Sequence, residues 1–117
     1  MKAFRLTLLL FLLMLCTVLF NALYINRISS DLTNRLDALP DVDDERCLEE
    51  ALRFCEHWEK KSKSVSLSVG YPVVDRITEQ AALLAACAEC GDLYGYRSAI
   101  ALLYDAVEDL QRLERLI

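Results

Sequence analysis

The stretch from Leu6 to Ile25, LTLLLFLLMLCTVLFNALYI, contains no charge, no proline and no glycine. As a helix its twenty residues span about 30 Å, the thickness of a hydrocarbon core, and only a bilayer or a deep protein interior accepts such a run. It reads as a membrane anchor over residues 6–26, with Leu6, Phe11, Phe20 and Ile25 among the side chains that meet lipid. Residues 1–5, with Lys2 and Arg5, form a basic head in front of it.

A cleaved signal has a shorter apolar core, about 7–15 residues, followed by a small-x-small site. The best candidate here, Phe20-Asn21-Ala22, begins with a bulky residue, so the segment is expected to stay attached. Lipid modification at Cys16 would need a small residue before the cysteine, and Leu15 stands there. Lys2 and Arg5 on one flank are balanced by Arg27 and Arg35 on the other. The short basic head with its free amino group favours an amino terminus inside the cell, which puts the remainder outside the cytoplasm.

All 18 acidic residues follow the apolar run; from Ile28 onward there are 10 basic and 18 acidic side chains, a net of −8. A domain so acidic is repelled by phosphate backbones and by anionic lipid surfaces, so nucleic acid is not an expected partner. Lys60, Lys61 and Lys63 are the one basic cluster, and they read as a solvated helix end that complements the macrodipole.

The roughly 90 residues beyond the anchor suffice for one small domain. They are rich in Leu, Ala, Glu, Asp and Arg, and the chain has three glycines and two prolines, which predicts an all-α fold. Ile28, Leu32, Leu36 and Leu39 recur at helical spacing, so residues 27–40 continue the anchor as a stalk that Pro40 stops. That stripe needs a partner, either the domain behind it or a second copy.

Residues 41–117 then form a bundle of three amphipathic helices. Asp41 to Glu45 supply caps for a helix over about 43–64 that buries Leu48, Ala51, Leu52, Cys55 and Trp58. Val65 to Tyr71 alternate like a strand but have no partner strand, so they read as a helix tail or loop. A helix from Pro72 to Cys90 buries Val74, Ile77, Ala81, Leu84 and Ala88, and Gly91 gives it a left-handed exit. The last helix, from Leu93 or Tyr96 to the end, carries the seam Ala99, Leu103, Ala106, Leu110, Leu113 and Ile117.

Basic head, single apolar helix, stalk, a helix bearing Trp58-Glu59-Lys60-Lys61, a third helix opening Val73-Val74-Asp75-Arg76-Ile77, and a Leu-rich last helix occur in that order. The layout resembles the small single-pass bacterial membrane proteins of the domain-of-unknown-function 4363 family. That resemblance implies fold and address only, since the family has no assigned activity. Tyr71-Pro72 stands where a His is expected in the turn before the third helix, and Leu116-Ile117 replaces an aromatic ending.

Cys87-Ala88-Glu89-Cys90 is the sharpest chemical motif. A redox pair needs a helix N-terminus to stabilise thiolate, whereas this pair sits before Gly91, at a C-terminus that disfavours it. Cys47 and Cys55 lie about 12 Å and about 80° apart on one helix, too far to share a zinc ion with sulfur bonds near 2.3 Å. A metal site built on Cys87 and Cys90 would need other ligands, and no cofactor is expected. His57-Trp58-Glu59 followed by that motif imitates a zinc deaminase, but Ala86 replaces the required proline and a sheet is lacking. His57 therefore reads as an exposed helix residue, and no small-molecule substrate is identified.

If the second and third helices form a hairpin centred near Ser68 and Val69, Cys47 faces Cys90, and a disulfide between them is the preferred pairing. Glu49, Glu50, Glu56 and Glu59 form a solvated face beside Arg46, Arg53 and Lys60. The expected function is a non-enzymatic, membrane-tethered scaffold or interaction module of the bacterial envelope. Its stalk and last seam would meet an envelope protein or a second copy; the alternative is a metal- or thiol-dependent sensor using Cys87 and Cys90.

Overall fold

The computed structural model describes residues 1–115, with side-chain surroundings through Arg112; Ile117 and the side chain of Leu113, both expected in the last seam, lie outside it. Four helices account for the fold: α1 (Lys2–Asp37), α2 (Cys47–Val69), α3 (Tyr71–Cys90) and α4 (Leu93–Arg115). The all-α reading therefore holds.

α1 packs on α2, α2 on α3, α3 on α4, and α4 back on α1, which closes an antiparallel four-helix ring. Cross-helix bonds fix the directions. Ser68 pairs with Asn21 and His57 with Asp31 across α1 and α2, while Tyr104 of α4 reaches Asp37 at the end of α1 and Arg97 reaches Asp41 just beyond it. α1 and α3 thus run away from the apolar segment, and α2 and α4 return to it. The molecule measures 69 × 20 × 19 Å, because the first half of α1 projects beyond the ring.

The stalk is the fourth wall of the bundle. Ile25, Ile28, Leu32 and Leu36 are buried, at spacings of three and four, against the α4 stripe Tyr96, Ala99, Leu103, Ala106, Val107 and Leu110. Each buried Leu, Ile or Val side chain among them contributes about 1.5–3 kcal/mol. Ile25, expected to face lipid, is thus a core residue at 2% exposure, and the anchor's last turn belongs to the bundle. Among the described residues, stalk and seam thus cover one another.

α2 begins at Cys47, later than expected, because residues 42–46 turn: the Asp44 carboxylate accepts from the Arg46 amide and the Asp44 carbonyl from the Cys47 amide. Its inward face is Cys47, Ala51, Phe54, Trp58 and Val65. Ala51 and Trp58 are buried and Cys55 partly so, as expected, whereas Leu48 lies at the exposed border and Leu52 is 52% exposed, so the inward face is turned from the expected one by less than one residue's rotation of about 100°. Val65 to Val69 continue the helix, with Val65 inside and Leu67 out.

α3 buries Val74, Ile77, Ala81 and Leu84 as expected, with Cys87 fully inside and Ala88 partly so. Gly91 adopts φ 72°, the left-handed exit that side chains resist, and Asp92 accepts from the Gly95 amide to cap α4.

Candidate functional site

Two places in this fold collect chemistry-bearing groups: the far end, where α3 passes to α4 beside the α1–α2 connection, and the near end, where α1 leaves the bundle.

At the far end Cys87 is buried and Cys90 exposed. A Cβ on Gly95 would lie 2.6 Å from the Cys87 sulfur and 2.7 Å from an Asp92 carboxylate oxygen, so only glycine lets α4 start this close to α3. Cys87 is roofed by that contact. Burial pushes its thiol up, and the Asp92 carboxylate and Cys90 add to the effect, so it is held away from the thiolate that redox or metal chemistry needs.

The Cys47–Cys90 bridge is not formed. The α2–α3 register is within one residue of the expected one, since Trp58 donates to Thr78 Oγ1 at 2.9 Å and Cys55 to the Ala81 carbonyl at 3.0 Å. What differs is rotation: Cys47 turns into the core beside the Tyr96 hydroxyl, and Cys90 faces solvent. Tyr96 donates to the Pro40 carbonyl at 2.8 Å, clamping the α1–α2 connection. Burial, followed by the Cys47 thiol and the Asp41 carboxylate, pushes the Tyr96 phenol far above its ordinary range. All five cysteines are free, and among the described residues no group of three or more His, Cys, Asp and Glu side chains is arranged to hold a metal ion.

His57, expected on an open face, is only 19% exposed, and its Nε2 lies 2.6 Å from Asp31 Oδ2. Partial burial works to raise the Asp31 carboxyl, but hydrogen bonds from His57 and Arg35 outweigh it and hold the group below its ordinary value. The pair ties α1 to α2 halfway up the bundle. The α2 acidic face is as expected, with Arg53 bridging Glu49 and Glu50 and Lys60 meeting Glu56.

At the near end every residue from Met1 to Phe20 is exposed, fourteen of them large apolar side chains. Among the described residues one helix, α1, is long and apolar enough to cross a membrane. The two hydroxyls of its exposed first half need no solvent, since Thr7 donates to the Ala3 carbonyl and Thr17 to the Leu13 carbonyl.

Where α1 enters the bundle, an open groove of about 600 Å³ runs between it and the end of α2, lined by Phe20, Asn21, Tyr24, Ser64, Leu67 and Ser68 among others. Ser68 donates to Asn21 Oδ1 at 2.6 Å across its upper edge. Leu67 is 90% exposed there. The sequence hints were Asn21, a lone amide in an apolar run, and serines 64 and 68 one turn apart; neither names a groove until the α1–α2 register is known.

Charge is sorted along the bundle. The far-end segments 37–46 and 88–97 hold seven carboxylates and two arginines, whereas residues 60–69 of α2 hold three lysines and no carboxylate. Comparison with family models, curated proteins and solved structures finds no match to this chain.

Proposed function

We propose that this chain is a membrane-tethered helical module of the bacterial envelope that does no chemistry of its own and presents its far end to a protein partner. The address and the bacterial setting are those that the resemblance to the domain-of-unknown-function 4363 family implies. The observation that carries the reading is the first half of α1, a bare apolar helix projecting from a bundle whose other apolar stripes are covered. In water that surface would aggregate; in a bilayer it is satisfied on all sides. The amino terminus lies inside the cell and the bundle outside the cytoplasm.

The presenting surface is the acidic far end, where Tyr94 is 84% exposed beside Leu93 and the Asp41–Asp44 turns. Its chemistry suits a partner with a basic rim and a pocket for one aromatic ring. The single histidine is committed to Asp31 and the Cys87 thiol is pushed up, which supports a binding role over a catalytic one.

The test is a photo-crosslinking side chain in place of Tyr94 in membranes from cells making the full-length chain, with a reporter at Ile117 reading its side. The expected result is a carbonate-resistant membrane protein, an external reporter and one specific adduct weakened by Asp43→Asn/Asp44→Asn. Release by carbonate overturns the anchor, a cytoplasmic reporter overturns the orientation, and recovery of monomer alone overturns the partner.

A further inference from the structure

We propose that the groove between α1 and the end of α2 holds one anionic phospholipid of the adjoining leaflet, with Lys60, Lys61 and Ser64 receiving its phosphate. The inference rests on the membrane reading above and names a ligand for it.

The groove has the polarity of a lipid. Its lower wall, Val18 and Phe20, continues the apolar surface of the projecting helix, and Leu67 closes the opposite side. Its upper wall is polar, formed by Asn21, Tyr24, Ser64 and Ser68. An acyl chain fits the first and a headgroup the second.

The α2 wall also supplies donors at the right level. Among the serines of this stretch, Ser62 donates to the Glu59 carbonyl, Ser66 to the Lys63 carbonyl and Ser68 to Asn21. Ser64 has no hydrogen-bond partner among the described residues and faces the groove. Lys60 and Lys61 precede it by four and three residues, which puts them one turn higher on the same helix face. Lys61 and Lys63 form no ion pair among the described residues, and Lys60 reaches Glu56 only at 3.6 Å.

The acidic net charge does not oppose this. Seven of the eighteen carboxylates stand at the far end, about 25–35 Å up the bundle and several screening lengths away at physiological salt. On the α2 wall of the groove residues 60–69 carry three lysines and no carboxylate, while Asp105, Glu108 and Asp109 of α4 are engaged by Arg76 and Arg112, and each lysine near an anionic surface strengthens attraction by about five-fold. A second copy is a poorer occupant, because a two-fold contact through this groove sets lysines against lysines.

The test uses full-length protein in vesicles of phosphatidylcholine and phosphatidylglycerol in equal parts, extracted gently and weighed by native mass spectrometry. Wild type is expected to retain one phosphatidylglycerol at least about ten-fold over phosphatidylcholine, with the preference shrinking in high salt. The Lys60→Gln/Lys61→Gln/Lys63→Gln variant, altered only at exposed positions, should stay helical by circular dichroism and lose the preference. Equal retention of the two lipids, or an unchanged preference in the variant, overturns the lipid site while the anchor stands. Failure of the wild-type chain to enter vesicles overturns both.

Discussion

The two halves of α1 share one unbroken helix and similar apolar content near their junction, yet they live under opposite rules. From Leu6 to Leu23 apolar side chains cover the whole circumference and are exposed; from Ile25 to Leu36 they form one stripe and are buried. Hydrophobicity alone does not say where a residue goes; its distribution around the axis does. The threonines of both halves, Thr7, Thr17 and Thr33, donate to the preceding turn, whereas Ser29, fully buried in the second half, leaves its Oγ without a partner among the described residues.

The comparison breaks most readily at Leu32, which is 0% exposed. Leu32→Ala should destabilise the bundle by about 2–5 kcal/mol in a denaturation series, while Leu9→Ala, an identical change in the bare half, should leave bundle unfolding unmoved. Equal effects would mean that both halves are core. Next in size is Ser29→Ala, expected to stabilise by about 1 kcal/mol because it removes a buried, unpaired hydroxyl; a loss of stability would reveal a partner for it.

The smallest effect concerns Asp31. Its carboxyl is held below its ordinary value of 3.8, so its contribution is present above that pH and is lost as pH falls through the lower folded value. The side chain is 45% exposed and screened, so the effect is on the order of a few tenths of a kcal/mol. Asp31→Asn should flatten that acid limb in pH-dependent unfolding, and an unchanged limb would assign the acid sensitivity elsewhere.

Much of this fold was legible because its signals are local. The uncharged run, the Pro40 stop, the Gly91 exit and the α3 stripe each depend on neighbours in sequence. α2 was harder. Leu48 and Leu52 compete with Cys47, Phe54 and Val65 for the inward face, and the larger ring and the helix partners decided it. The alternation of Val65 to Val69 imitates a strand, but Val65 has α-helical neighbours to pack on and no strand to pair with.

The groove and the His57–Asp31 pair were illegible for a different reason. Both are set by the α1–α2 register, which brings residue 21 to residue 68 and residue 31 to residue 57. No signal inside either helix encodes that offset. The thiol pattern shows the same limit: the register of Cys47 and Cys90 was readable, but the rotation that turns one inward and the other outward was not.

α1 contains neither glycine nor proline from Lys2 to Asp37, so nothing between its halves can bend freely. The molecule is mechanically a rigid lever with its load at one end. With no proline or glycine to kink it, α1 links the apolar half directly to the far end, where Tyr96 clamps Pro40 and Arg97 holds Asp41. Sixteen residues of helix separate Asn21 from Asp37, so the acidic end stands about 24 Å above the groove.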